Sequence, residues 1–271
     1  MTKFYTSKTT TIFQGRILKS KPLIILLFFS YYNKSDLKER QKEIDSVIEK
    51  NLKNPYINKI WLFVEPGNEP SHLLKSRFNR QKCNLIPIDD KPMYGDMFRY
   101  AQQNLNGQIV AITNTDNYFD ETLKLLVDPT IDWNERMFFL TRLEDHNGNI
   151  LDMEKCTRFY DSYDSFIFKS PLNNTSLLFS KLDKIEYGTE DVENIILKAL
   201  YESNGIMGED PCEFLRLYHH HHDDENREQH KAVDEKDIRS NYPLKISELS
   251  PPSLNILIIS IRILELLKRY S

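Results

Sequence analysis

The sequence predicts an α/β domain with a mostly parallel central sheet, and three observations carry that prediction. Short apolar runs of strand length recur along the chain, and stretches of helical period lie between them. The first run, "PLIILLFF" (Pro22–Phe29), is continuously apolar, as a strand covered on both faces must be. Alternation of this kind implies βαβ crossovers, which set strands parallel.

The elements follow in order. After the first strand, "SDLKERQKEIDSVIEKNLKN" offers Ser35 as an N-cap, with Leu37, Ile44, Val47, Ile48 and Leu52 near helical spacing. "INKIWLFVE" (Ile57–Glu65) is a second strand, ended by Pro66 and Gly67. "CNLIPID" (Cys83–Asp89) is a short third. "YGDMFRYAQQNLN" (Tyr94–Asn106) reads as a helix with Met97, Phe98, Ala101 and Leu105 on one side. "GQIVAIT" is a fourth strand and "RMFFLTRLE" (Arg136–Glu144) a fifth.

Composition bounds the function. Apolar residues make up 40 % of the 271 positions, with 15 Phe and 14 Tyr, which is globular composition. A formal charge of −4 gives no global attraction to nucleic acid. Cys83, Cys156 and Cys212 are odd in number and far apart, which argues for a reducing compartment and against a disulfide scaffold or a cysteine zinc site. The basic stretch "GRILKSKP" before the first apolar run mimics a secretory signal, but the run is short and no small-residue cleavage site follows. A cytoplasmic protein is expected. With 8 Gly in the chain, Walker A and G-x-G-x-x-G loops are absent.

The fourth strand runs straight into "NTDNYFDETL", where Asn114, Asp116, Asn117 and Asp120 crowd together. In an open α/β sheet, ligands bind outside the carboxyl ends of the strands. Asn114 and Asp116 therefore fall at the binding rim, and "SYYN" (Ser30, Tyr31 and Asn33) ends the first strand at the same rim. Carboxylate oxygens suit hard divalent cations shared with substrate phosphates. An ordinary polar loop is the other reading, because Asn and Asp are common loop formers.

"IVAITNTDNYFDETL" resembles the strand and metal-binding loop of GT-A fold nucleotide-sugar glycosyltransferases, whose D-x-D motif closes a central strand. It is similar above all to a bacterial and viral glycosyltransferase-like group that carries N-x-D-x-x-F-D. The resemblance implies a GT-A-like (Rossmann-like) sheet flanked by helices. It makes Asp116 the ligand of Mn²⁺ or Mg²⁺ and Asn114 a residue facing the ribose or a metal-bound water; Asn114 stands where an Asp is usual, which removes one charge. "DSYDSFIFKSPL" resembles an acceptor-side segment, so Asp161 and Asp164 would bind sugar hydroxyls, unless they form an acidic turn capping "SFIF". "YGTEDVENIILKAL" resembles the helix start that carries the general base in inverting members. That makes Asp191 the base and Glu190 its alternative. The macrodipole alone also favours acids there.

"GEDPCEFLRLYHHHHDDENR" holds four consecutive histidines, internal and therefore unlike an affinity tag. The related group ends this region in H-x-H-x-S-x-x-R. Placing Arg227 on its arginine puts His220 and His222 on the histidines, as metal ligands, and leaves Arg227 for the diphosphate. On an extended segment 220 and 222 share one face, 219 and 221 the other. A solvated polar loop is the alternative. Residues 1–230 form the expected glycosyltransferase domain and 231–271 a charged loop with a C-terminal helix, "PPSLNILIISIRILELLKRY". That helix would pack on the domain, on a second copy as a homodimer, or on a membrane surface; it carries Arg262 and Glu265 and is short for a span.

The function expected is hexosyl transfer, with inversion, from a nucleotide-sugar donor (a UDP-sugar) to a glycan or lipid-linked acceptor. It would be metal-assisted, belong to polysaccharide biosynthesis and have no nucleic-acid partner. Two alternatives stay open. One is a metal-dependent phosphoesterase or nuclease, although "SYYN" ends the first strand without an acid. The other is a non-catalytic nucleotide-sugar-binding relic, which Asn114 makes credible.

Overall fold

A rim of polar residues is created where six parallel strands end and a seventh, antiparallel, begins, and the strand order decides which residues reach it. The computed structural model describes residues 25–31, 38–127, 131–133, 136–146, 148–151, 156, 163–173, 175–187, 189, 192–204 and 207–221, and for Ile25–Tyr31, Lys38, Glu39, Asn194, Asn204, Met207 and His221 the backbone alone. In chain order the elements are β1 (Ile25–Tyr31), α1 (Lys38–Lys53), β2 (Ile57–Val64), α2 (Arg77–Lys82), β3 (Cys83–Pro87), α3 (Tyr94–Asn104), β4 (Ile109–Thr113) and β5 (Asn117–Phe119). A 3₁₀ helix (Glu121–Val127) leads to β6 (Arg136–Leu140), β7 (Arg142–His146), β8 (Asn149–Leu151) and β9 (Ser165–Lys169). Then come α4 (Thr175–Leu182), α5 (Glu193–Asn204), β10 (Met207–Glu209) and β11 (Leu217–His221).

The main sheet has the order β10-β6-β9-β4-β1-β2-β3. Its pairs are parallel except where β9 runs antiparallel to both β4 and β6. The expected mostly parallel α/β sheet is present. Each strand alternates its side chains between two covered faces. Val110 and Ile112 of β4 pack with Phe166 and Phe168 of β9 and with Met97 and Phe98 of α3; α4 and α5 close that layer. Ile109 and Ala111 point the other way, toward Ile44, Ile48 and Leu52 of α1.

The helix stripes lie where their spacing puts them. Ile44, Val47, Ile48 and Leu52 are buried on α1, as are Met97, Phe98, Ala101 and Leu105 along α3 and its end. At the start of α3 the Asp96 carboxylate accepts the Met93 N–H at 2.9 Å, satisfying a backbone donor the helix leaves open.

Two expectations are corrected. "RMFFLTRLE" is not one strand: the chain breaks at Thr141, so that β6 belongs to the main sheet and β7 to a second sheet of order β5-β11-β7-β8. Asp210 holds the break, accepting from Thr141 N at 3.2 Å and from Thr141 Oγ1 at 2.6 Å. Burial pushes the Asp210 carboxyl up to about 6, against those hydrogen bonds. The cysteines also depart from expectation. Cys156 and Cys212 are paired, with Cα atoms 5.2 Å apart, and Cys83 is the free, buried one. Both strands beside β7 lead to this pair, since Cys156 follows β8 and Cys212 precedes β11. Sequence distance had hidden that closeness, and the argument for a reducing compartment loses its basis.

Ser35, Leu37 and the segment 251–270, expected to be a C-terminal helix, lie outside the described residues. Among the described residues, no helix is long and apolar enough to cross a membrane. A side chain is excluded at Gly208 of β10, where an added Cβ would overlap the buried Phe139 ring. Gly208→Ala should therefore lower the urea midpoint by the equivalent of roughly 1–3 kcal/mol, the usual cost of overpacking a core. An unchanged midpoint would contradict the close approach of β10 to β6.

Candidate functional site at the sheet rim

β4 ends at Thr113, and a turn closed by Asn117 N–H donating to Asn114 O (3.2 Å) sends the chain into β5. The buried Tyr187 hydroxyl donates to Thr113 O and ties this turn to the segment before α5. Because β9 is antiparallel, its first residues stand beside the last of β4 and β6: Ser165 pairs with both Thr113 and Leu140. Asp164 consequently lies at the rim. Its carbonyl accepts from Asn114 N at 3.2 Å, and its Oδ1 accepts from Asn114 Nδ2 at 2.5 Å and Arg142 Nη1 at 3.0 Å.

Asp116 is the centre of a chain of alternating charges. Its Oδ2 accepts from Arg40 Nη2 at 2.5 Å and faces His219 Nε2 at 2.9 Å. His219 Nδ1 meets Glu144 Oε2 at 2.9 Å; Glu144 accepts from Arg142 Nε at 3.0 Å, and Arg142 reaches Asp164. At the other end Arg40 Nη1 bonds Glu43 Oε2 at 2.7 Å. His219 is only 2 % exposed and its partners Asp116 and Glu144 are mostly covered, so the centre of the chain is withdrawn from water.

The protonation states follow from that geometry. Burial opposes charge on His219, but Asp116 and Glu144 outweigh it and hold the ring up at about 9. An imidazole with a carboxylate at each nitrogen is a double donor, hence an imidazolium. Burial would raise Asp116, yet His219 and Arg40 hold it well below the usual carboxylate range. Asp164 is raised instead, by burial and by Asp116, in spite of Arg142.

His220 looks the other way. Its Nδ1 lies 3.2 Å from Asp145 Oδ2, which also accepts from Lys50 Nζ at 2.9 Å and from Tyr118 Oη at 2.7 Å. Burial and Lys50 lower the His220 pKa, so this ring is neutral while its neighbour is charged. Strand alternation therefore holds with the parity reversed. His219, not His220, meets Asp116, because β11 pairs His219 with Asn117 of β5 and His220 with Asp145 of β7.

The donors described do not fit a divalent cation. Asp116 Oδ2 already serves two cations, both His219 nitrogens face carboxylates, and His220 belongs to the Asp145 cluster. Among the described residues no group of three His, Cys, Asp or Glu could hold a metal ion. Of the expected site residues, the structure brings Asn114, Asp116 and Asp164 together, and the backbone of Ser30 and Tyr31 ends β1 at the same rim. Asn33, Asp161, Glu190, Asp191, His222 and Arg227 lie outside the described residues.

Sequence reasoning missed Arg40, Arg142, Glu144 and His219. Arg40 left no signal in the sequence, because its partner Asp116 lies 76 residues away. A cavity of about 430 Å³ lined by Lys53, Asn54, Phe78 and Lys82 lies at the opposite, amino-terminal end of β2 and β3. Lys82 Nζ there caps the end of α1, donating to Leu52 O and Asn54 O at 2.6 Å each.

No protein-family model and no curated protein matches the sequence. Solved structures do. The S. aureus TarS 1–349 fragment in complex with UDP-GlcNAc is 12 % identical with a TM-score of 0.53, covering 82 % of this chain and 68 % of that one. The same fragment in complex with UDP is 11 % identical at 0.51, covering 82 % and 67 %. A longer TarS structure is 12 % identical at 0.50 and is covered over only 40 % of its length. Likeness at this identity shows the fold, which is GT-A-like.

The charge chain sets a pH dependence on stability. His219 has its folded pKa raised from 6.5 to about 9, so its contribution is complete below about pH 6.5 and is lost as pH rises through about 9. Asp116, depressed, contributes above the usual carboxylate range and loses its contribution as pH falls through it. In chelating buffer, urea titrations of the wild type should show stability falling between about pH 6.5 and 9. His219→Gln should flatten that decline and cost roughly 3–5 kcal/mol near neutrality, the scale of an uncompensated buried ion pair. An equal slope in both proteins would rule out a charged His219.

Proposed function

We propose that this chain is a glycosyltransferase that moves a sugar from a nucleoside-diphosphate donor, a UDP-sugar, to a hydroxyl of a glycan or lipid-linked acceptor. The observation that carries the reading is the placement of Asp116 and Asn114 at the carboxyl end of β4 in a GT-A-like sheet. There a ligand would meet the oriented cation Arg40. Solved structures of the same fold hold UDP-GlcNAc and UDP, which favours this donor class.

In the transfer, the acceptor oxygen forms a bond to the anomeric carbon while the bond from that carbon to the diphosphate oxygen breaks. The electron pair of the broken bond stays on the departing nucleoside diphosphate. The acceptor proton passes to a carboxylate, for which the helix start before α5 offers Asp191, with Glu190 as the alternative. A carboxylate on the far side of the sugar ring from the leaving group gives inversion. Asn114 and Asp116 orient the donor, Asp161 and Asp164 engage acceptor hydroxyls, and Arg227 adds charge for the diphosphate. A Mn²⁺ or Mg²⁺ ion, when bound in enzymes of this kind, stabilises the leaving diphosphate; the described donors do not fit one, and His222 is the expected ligand beyond them.

A two-metal phosphoesterase is the weaker reading. It needs several carboxylates free to share ions, whereas Asp116, Glu144 and Asp164 each face Arg or His partners. The location proposed is cytoplasmic, with the C-terminal helix as a surface for a membrane or a second copy.

Two variants separate binding from chemistry. Asp116→Ala should abolish binding of UDP in calorimetry; unchanged affinity would remove Asp116 from the donor site. Asp191→Asn should keep donor binding and lose roughly two or more orders of magnitude in transfer, the scale of general-base removal. A parallel loss of both would instead mark Asp191 as a structural cap of α5.

A further inference from the structure

We propose that Arg40 and His219 hold, at Asp116, the electrostatic place a divalent cation takes in metal-dependent enzymes of this fold, and that Arg40 contacts the donor diphosphate directly. Nucleoside-diphosphate binding to this chain then needs no metal ion. The proposal rests on the glycosyltransferase reading above and names the group that meets its leaving charge.

Coordination needs lone pairs aimed at one point, and the described residues direct theirs elsewhere. The Asp116 Oδ2 oxygen receives the Arg40 guanidinium at 2.5 Å and the His219 ring at 2.9 Å. A cation seated within about 2.0–2.2 Å of that oxygen would press against two positive groups. His219 cannot turn a nitrogen to the ion without giving up Asp116 or Glu144. His220 lies with Asp145 and Lys50, on the opposite side of β11. Asn114, in place of a second acid, further lowers the negative charge that would draw a metal in.

Arg40 suits the substitute role. Glu43 and Asp116 each hold one of its terminal nitrogens, so the guanidinium plane is fixed before any ligand arrives. Its side chain remains 26 % accessible, against 2 % for His219, so Arg40 is the member of the pair that can face a ligand. A planar, always-charged fork matches phosphate oxygens well. His219, enclosed, positions Asp116 and through it Arg40.

The test is calorimetry with UDP, GDP, CDP and dTDP on protein stripped with EDTA, repeated with added Mn²⁺. At least one nucleotide should bind in EDTA, with an affinity that Mn²⁺ leaves unchanged. Arg40→Ala should weaken that binding roughly 10- to 100-fold, as loss of a charged hydrogen-bonding partner does. Arg40→Lys, which keeps the charge without the fork, should recover part of it. Binding that appears only with Mn²⁺, or that Arg40→Ala leaves intact, overturns the inference while leaving the glycosyltransferase reading in place. Absence of binding for every nucleotide under both conditions overturns both. The EDTA comparison uses the unaltered chain, so it decides the matter even where Arg40→Ala fails to fold.

Discussion

The reversal of one strand organises everything at the rim. β9 enters the main sheet antiparallel between β4 and β6, so its first residue meets the last residues of both neighbours. A parallel β9 would have delivered Asp164 to the far edge of the sheet. Instead its carboxylate reaches Asn114 at the end of β4 and Arg142 just past β6. The break at Thr141 works with this reversal. It releases β7 from the main sheet, and β7 then offers Arg142 and Glu144 to the rim and a parallel edge on which β11 lays His219.

From Glu43 to Asp164 the sign of charge alternates at every contact. Burying ions costs far more than a surface pair recovers, and only mutual neutralisation makes such a row tolerable in a low-dielectric setting. Such an arrangement is poorly explained as a device for stability, since an apolar core of equal volume serves that end as well or better. It fits pre-orientation, with each ion fixed by the next and the two arginines, Arg40 and Arg142, the most accessible members.

Much of the architecture was legible because it follows from periodicity. The stripes of α1 and α3 fix their buried faces, and the apolar run of β4 followed by Asn114 and Asp116 marks a strand reaching the polar rim. What escaped reading depends on contacts distant in sequence. Nothing in "RMFFLTRLE" marks the break at Thr141, because its holder, Asp210, lies 69 residues away. Cys156 and Cys212, 56 apart, meet only because β8 and β11 share β7 as a neighbour. The parity of the histidines was unreadable for another reason: identical residues carry no polar–apolar alternation from which a face could be chosen.

That same uniformity has an evolutionary side. In an ordinary strand the gain or loss of one residue moves every following side chain to the wrong face. Here His219 and His220 serve opposite clusters, one around Asp116 and one around Asp145, and two more histidines follow directly. Deleting one member of the run would still leave a histidine at both positions, and inserting one would change neither. The repeat therefore keeps both clusters supplied through a one-residue change in its own length.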